Sequence, residues 1–262
     1  MFDYRLFELM VDPSRKKRQT ILSTDVTTFY IYSKEEGILS GNHVLKAFFD
    51  FYDLDIEFRF HKEDGTSFRR GDILCSIIGR ANDVYYVLND VVLLLARLSG
   101  ISTITNYYKS KLGQTTLLDL KQYSPLYEAF EANALAYGGA RELENLHLID
   151  ELEIEAYGNI EEAIAKAIYL YKDKRIGIEV TDIKLFYDVI KTDVEVIVLK
   201  YFNDEALRRA RLDAPEDKIL IIGGTITPNR LEMISKMGYP YLATPFVLNA
   251  SRVLEFGVKL GK

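Results

Sequence analysis

A single cysteine, Cys75, rules out a disulfide within the chain and any metal centre built from several thiolates. Its surroundings, Ile73-Leu74-Cys75-Ser76-Ile77-Ile78, are apolar and no histidine lies within five residues, so a buried strand cysteine is expected and not a nucleophile. Histidine is scarce too: His43, His61 and His147 are scattered and show no zinc spacing. Positive charge is not in excess, with 33 Lys and Arg against 39 Asp and Glu and a net charge of −6, which argues against a nucleic-acid protein driven by phosphate contacts. The one basic run, Arg15-Lys16-Lys17-Arg18, has no aromatic or periodic companion and reads as a solvated patch. No run approaches the roughly 20 apolar residues of a membrane span. The N-terminus lacks a basic-then-apolar leader. The expectation is a cytoplasmic protein with neither membrane nor nucleic acid as partner.

What is there is core material: hydrophobic residues make up 48% of the chain and charged residues 27%, ordinary for a globular protein. The stretch from Leu117 to Gly139 organises the reading. An apolar run ends at Asp119, a short polar loop follows, Pro125 is placed to open a helix, and Gly138-Gly139 to close it. Strand, loop and helix in that order put Asp119, Lys121, Gln122, Tyr123 and Ser124 at a strand's C-terminal end, where β/α barrels carry their chemistry.

Upstream, short strands at Phe29–Tyr32, Asp55–Phe60 and Asp72–Ile78 surround a helix over Asn42–Phe51, preceded by a helical Tyr4–Met10. A strongly apolar helix over Val84–Ser99 reads as buried on most sides. Downstream the pattern becomes strand–helix alternation. Strands are expected at Leu117–Asp119, Leu152–Ala156, Arg175–Val180, Val194–Leu199, Lys218–Ile222 and Tyr241–Ala243. Helices are expected at Pro125–Tyr137, Ile160–Tyr171, Ile183–Ile190, Asp204–Leu212 and Pro228–Met237. Alternation of this kind implies parallel strands with right-handed crossovers. The fold class is therefore α/β: an N-terminal α/β sandwich over residues 1–105, an open six- to seven-stranded β/α barrel over 106–245, and a C-terminal segment, 246–262, packing back on the first domain. The tyrosine pairs Tyr85-Tyr86 and Tyr107-Tyr108 read as core or interface aromatics.

The strand ends supply the candidate site. They offer Asp119, Lys121 and Gln122, then Glu153 and Glu155, then Glu179, Lys200, Gly223-Gly224-Thr225 and Thr244. Glu179 and Lys200 end successive strands and read either as a salt bridge or as a ligand-binding pair. Gly223-Gly224-Thr225 before Pro228 and a helix reads either as a tight turn or as a phosphate cradle of backbone N–H groups.

Several segments resemble one family. Asp119-Leu120-Lys121-Gln122-Tyr123-Ser124-Pro125 is similar to the Asp-Thr-Arg-Lys-Thr-Thr-Pro segment of quinolinate phosphoribosyltransferase, the carboxylating nicotinate-nucleotide pyrophosphorylase, which has a ModD-like branch. Thr24–Thr28, Glu35–Gly41, Ser99–Thr103 and Gly223–Thr227 resemble its Gly-Asp-Leu-Thr-Thr, Glu-Asp-Gly-Val-Leu-Ala-Gly, Ser-Gly-Ile-Ala-Thr and Ser-Gly-Gly-Ile-Thr motifs. The resemblance runs from about Thr24 to Leu260. It implies a sandwich domain before an open barrel, a homodimer in which one chain's N-terminal domain faces the other's barrel mouth, and transfer of phosphoribosyl from phosphoribosyl pyrophosphate (PRPP) to a pyridine carboxylate in NAD biosynthesis. No cofactor is assigned beyond magnesium accompanying PRPP, and no residue is assigned as a metal ligand.

The resemblance keeps the frame and loses charge. Leu88-Asn89 stand for Glu-Arg, Lys121-Gln122 for Arg-Lys, Leu143-Glu144 for His-Arg, Ile154 for the Lys of Lys-Asp-Asn-His, and Lys200 for a metal-side Asp; Glu179 is retained. Lost contacts of this kind cost roughly 2–5 kcal/mol each, and each 1.4 kcal/mol is about tenfold in affinity. The residues put forward are Lys121, Glu179 and Lys200 for catalysis, Asn89, Gln122 and Ser124 for substrate, and Gly223, Gly224 and Thr225 for phosphate. The reading is a divergent phosphoribosyltransferase with doubtful standard turnover; the alternatives are a non-catalytic paralogue that binds or regulates a partner, and an anion-binding module.

Overall fold

A computed structural model describes Phe7, residues 25–51 and residues 55–261. The basic run at residues 15–18 and most of the expected Tyr4–Met10 helix lie outside these. In chain order the elements are β1 (Val26–Ser33), β2 (Gly37–Ile38), α1 (Asn42–Phe51), β3 (Ile56–Phe60), β4 (Ser67–Phe68), β5 (Ile73–Arg80), α2 (Ala81–Lys111), β6 (Thr116–Leu118), α3 (Glu128–Gly138), β7 (Leu146–Ile149) and α4 (Glu151–Tyr157). Then follow α5 (Ile160–Leu170), β8 (Arg175–Val180), α6 (Ile183–Val189), β9 (Val196–Lys200), α7 (Asp204–Asp213), β10 (Ile219–Gly223), α8 (Leu231–Ser235), β11 (Tyr241–Ala243), α9 (Phe246–Asn249) and β12 (Phe256–Leu260). They form two compact units. One holds the described residues up to Tyr107 together with Lys121–Gly139 and the chain from Val247; the other holds Tyr108–Leu120 and Ala140–Phe246.

The first unit is built on an antiparallel sheet of order β12-β1-β5-β3. Alternation along β1 buries Phe29, Ile31 and Ser33. Helix α1 buries Val44, Leu45, Phe48 and Phe49, and the Phe49 ring lies 4.3 Å from that of Phe58 on β3. Cys75 is fully buried on β5, and burial pushes its thiol up to about 12, so it is neither charged nor nucleophilic near neutrality.

Helix α2 departs from the expectation in two ways. It is long and apolar enough to cross a membrane by length and composition, yet most of its apolar stretch is buried inside the protein, as in a core helix. It also does not end at Ser99–Thr103 but continues to Lys111. The small polar residues there are a docking strip, not a stop signal. Thr103 Oγ1 accepts the N–H of Ile38 at 2.9 Å, Ser99 Oγ accepts the N–H of Ser40 at 3.1 Å, and Ser102 Oγ donates to the Ala134 carbonyl at 2.7 Å. Gly100 admits the chain on its C-terminal side: a Cβ there would lie 1.9 Å from the carbonyl oxygen of Arg252. Gly138 of α3 does the same toward Thr105, where a Cβ would stand 2.4 Å from that residue's own Cβ.

The second unit is an open barrel of six parallel strands in the order β6-β11-β10-β9-β8-β7. The sheet is open between β6 and β7, where the only pairing among the described residues is an isolated bridge from Leu118 to Arg141. Near-continuous apolar runs in β8, β9 and β10 suit strands covered on both faces. The interior is filled by Leu118, Val196, Val198, Ile221 and Ala243 with Leu120, Leu146, Leu148, Ile219 and Tyr241 against them.

The sequence-expected strand at Leu152–Ala156 is helix α4, and the strand is β7. Glu-Leu-Glu-Ile-Glu alternates like a strand, but Asp150 closes a capping box with Glu153, its carboxylate accepting the Glu153 N–H at 2.9 Å, and that starts a helix. His147 lies on β7 with its ring stacked 3.8 Å from Tyr171. Pro125 does not open a helix either: residues 124–127 form a turn in which Leu126 adopts φ 69°, and α3 begins at Glu128. The expected Pro228–Met237 helix is a 3-10 turn, Pro228–Arg230, followed by the short α8.

Gly100→Ala should destabilise the protein by about 1–3 kcal/mol or more, because the methyl group meets backbone and not a movable side chain. Denaturant unfolding checks this, with Gly158→Ala, where a Cβ meets nothing within 4 Å, as the comparison carrying only its left-handed φ cost.

Candidate functional site

Parity along the strands decides what reaches the barrel interior. Val196 and Val198 point inward, so Lys200 at the end of β9 does too. Gly177 faces Leu146, Leu148 and Val196, which puts Glu179 on the same face of β8. Ile219 and Ile221 are interior, and Gly223 follows them. Leu148 is interior, and Asp150 follows it off the end of β7. The C-terminal rim of the barrel therefore gathers Asp150, Glu179, Lys200 and Gly223.

Lys200 Nζ donates to Glu179 Oε2 at 2.7 Å, and both side chains are mostly shielded from solvent, at 25% and 15% exposure. Burial works against the ammonium, but the hydrogen bond and charge of Glu179, helped by Tyr201 and Asp150, outweigh it and hold the Lys200 pKa above its ordinary value. Lys200 is thus a cation throughout the physiological range. The pair lines a cleft of about 410 Å³ whose walls include Asp150, Leu152, Ile154, Asp182 and Tyr201. Tyr201 is strained, with φ 63°, and its exposed ring lies 5.8 Å from the Lys200 ammonium.

The glycines fit around this pair. Gly223 is in register with Lys200, and a Cβ on it would stand 3.2 Å from Lys200 Cγ and 2.6 Å from Val198 Cγ1. Gly224 has φ 91° and lies over the backbone and ring of Tyr201. A side chain at 223 would displace the lysine stem. Thr225 is exposed beside them.

The remaining candidates belong to the first unit. Lys121, Gln122 and Ser124 share one loop, with Lys121 in the left-handed region at φ 56° and both Lys121 and Gln122 exposed. Asn89 is exposed on α2. Ser124 is engaged within the protein: its N–H and Oγ donate to the two carboxylate oxygens of Glu131 at 2.7 and 2.9 Å. Glu131 is 2% exposed and also receives Arg97 Nη2 at 3.5 Å. Sequence reasoning missed Glu131, Asp150 and Tyr201. Asp150 was findable, since Asp-x-x-Glu before an amphipathic stretch is a helix-start signal. Glu131 sits on a helix among alanines, and nothing local marks it as buried.

The profile of the quinolinate phosphoribosyl transferase C-terminal domain matches residues 101–259, and that of the N-terminal domain matches residues 16–99. The chain belongs to the quinolinate phosphoribosyltransferase family. A probable carboxylating nicotinate-nucleotide pyrophosphorylase of Archaeoglobus fulgidus is 21% identical over 254 residues, covering 92% of this chain and 97% of that protein. A probable enzyme of the same name from Bacillus subtilis is 24% identical over 247 residues, covering 92% and 86%. Among solved structures, nicotinate-nucleotide pyrophosphorylase from Ehrlichia chaffeensis superposes with a TM-score of 0.90 at 17% identity, over 100% of this chain and 99% of that one. The Francisella tularensis protein gives 0.87 at 21% identity, over 98% and 95%. The family resemblance and the sandwich-plus-open-barrel class read from the sequence are both borne out.

Glu131→Ala should release the 121–127 loop. Ser124 loses both acceptors, a destabilisation of about 1–3 kcal/mol. Limited trypsinolysis should show faster cleavage after Lys121 than in the parent protein, while Asn133→Ala, on the same helix, leaves that rate unchanged.

Proposed function

We propose that this chain is a divergent, cytoplasmic member of its family that binds a phosphorylated ligand of the PRPP kind at the barrel rim but does not turn over quinolinate at a useful rate. The observation that carries this reading is the rim itself: two carboxylates, Asp150 and Glu179, surround one ammonium already bonded to one of them. A pyridine dicarboxylate needs unpaired cations, and catalysis of this type depends on positioned charge stabilising the transition state. Asn89, Gln122 and Glu144, which stand where the resembled motifs hold cations, supply none, and Ile154 is an apolar member of α4 lining the cleft. A less anionic base suits such a pocket better. Gly223, Gly224 and Thr225 would offer backbone N–H groups to the phosphate.

A second reading, a non-catalytic paralogue acting on a protein partner, is favoured by the same ion pair, since a pair closed on itself needs no ligand. Both readings include a homodimer. Light scattering at micromolar concentration should give twice the mass of one chain, and a monomer would count against both.

Incubation with quinolinate and PRPP should yield no nicotinate mononucleotide above the enzyme-free control by chromatography. Robust turnover that vanishes in Lys121→Ala would overturn the proposal and establish the family reaction here. Thermal shift with PRPP separates the two readings: stabilisation supports the ligand-binding descendant, and no shift supports the paralogue.

A further inference from the structure

A cavity of about 520 Å³ lies at the opposite end of the barrel strands from Lys200, and all its walls belong to the second unit. Small-molecule sites span roughly 300–1,000 Å³, so its size suits one. The segments that lead into three neighbouring strands meet there. Gln114 precedes β6, Lys218 precedes β10 and Gly238 precedes β11, and these strands stand in the order β6-β11-β10. The cavity shares no residue with the cleft at Lys200. Pro215, Ile219 and Pro240 give it apolar wall.

Arg211 is the group on this wall built for recognition. It lies in the last turn of α7, and its Nε–H donates to the Gly238 carbonyl at 3.0 Å. That bond holds the guanidinium in place and leaves its terminal Nη groups for a planar partner. Among the described residues no carboxylate stands within ion-pair distance of Arg211. Lys218 adds to the charge. Its Nζ donates to the Thr192 and Val194 carbonyls at 2.7 and 2.8 Å, and the carboxylate paired with it, that of Asp217, is 3.7 Å away and largely exposed. Neutral carbonyls orient an ammonium without cancelling its charge. Glu216 is the single carboxylate on the wall, too few for a metal site. Two cations against one carboxylate leave a small positive surplus, and the one guanidinium fork sets its geometry. A single carboxylate matches both, whereas a dianion would exceed the surplus and meet Glu216.

We infer that the N-terminal end of the barrel binds a small monocarboxylate with an apolar body. The carboxylate sits on the Arg211 fork and the body lies against Pro215, Ile219 and Pro240. The exposed amide of Gln114 is at hand for a further hydrogen bond. This site does not depend on the ligand reading proposed above.

An amide-detected NMR titration of the full chain with sodium benzoate, at constant ionic strength, tests it. The expected result is saturable shifts at the Gln114 and Gly238 amides. Benzamide, which keeps the ring and lacks the charge, should bind at least about tenfold more weakly. Arg211→Gln should weaken benzoate binding at least about tenfold, and Arg211→Lys should leave it weakened, because an ammonium has no fork. Arg208→Gln removes a cation from the same helix outside the cavity and should change nothing. Circular dichroism melting confirms that each variant is folded. Shifts that do not saturate, or that spare Gln114 and Gly238, would overturn the inference. Equal binding of benzamide would overturn it too, and that comparison needs no variant. Unaltered benzoate binding by folded Arg211→Gln would do the same, since the arginine would then be a bystander.

Discussion

Parallel pairing is the constraint from which the rest follows. Six strands running the same way end at one rim, and strict alternation sends every second side chain to the interior. Once Val196 and Val198 fill the core, the chain has no freedom over Lys200: it must enter the barrel where the apolar filling stops. The same holds for Glu179 beyond Gly177, and for Gly223 beyond Ile221. Side chains from three consecutive strands thus meet without any sequence neighbour bringing them together. An ammonium in such a place cannot stand alone, because burial opposes its charge, and Glu179 answers that need at 2.7 Å. The ion pair is a consequence of the barrel before it is a device for ligands.

Around this pair, space is reserved by what is missing from the side chains. Gly223 has no Cβ where the lysine stem passes, and Gly224 accepts a left-handed φ beside an equally left-handed Tyr201. Two adjacent strand ends therefore turn with positive φ, one at low cost in a glycine and one at a cost in a tyrosine. Strain of this kind in a non-glycine residue persists only where its surroundings hold it. At Tyr201 the ring lies toward the Lys200 ammonium and the backbone lies under Gly224.

Much of the fold was legible in the sequence, and the failures share a cause. Strands β8 to β11 are apolar runs bounded by turn residues, and a window of five or six residues suffices to see them. The α4 error came from reading periodicity in Glu-Leu-Glu-Ile-Glu while passing over the cap that precedes it, so a local pattern lost to a local hydrogen bond. The α2 error was different. Ser99-Gly100-Ile101-Ser102-Thr103 has the composition of a helix end, but its small residues answer to Ile38, Ser40, Ala134 and Arg252, all more than thirty residues away in sequence. Nothing in the helix itself distinguishes a stop from a docking strip. The site divides the same way: Glu179, Lys200 and the glycines follow from strand ends, whereas Glu131 owes its importance to a loop that folds onto it.

The physical costs of substitution also differ between frame and function. At Gly100, Gly138 and Gly223 a single methyl group would stand within 1.9, 2.4 and 2.6 Å of its neighbours, so the frame tolerates almost no alternative. At Asn89, Gln122 and Glu144 the side chains are exposed, and surface changes usually alter stability by less than about 0.5 kcal/mol. Steric demands on the backbone therefore hold the fold in place independently of the charges on its surface and at the rim. Charge at the rim can then change with the barrel still assembling, provided a shielded charge such as that of Lys200 finds a partner. Glu179 is that partner. A lysine at 200 without a carboxylate at 179 would leave a mostly shielded ammonium unpaired, so Lys200 depends on Glu179.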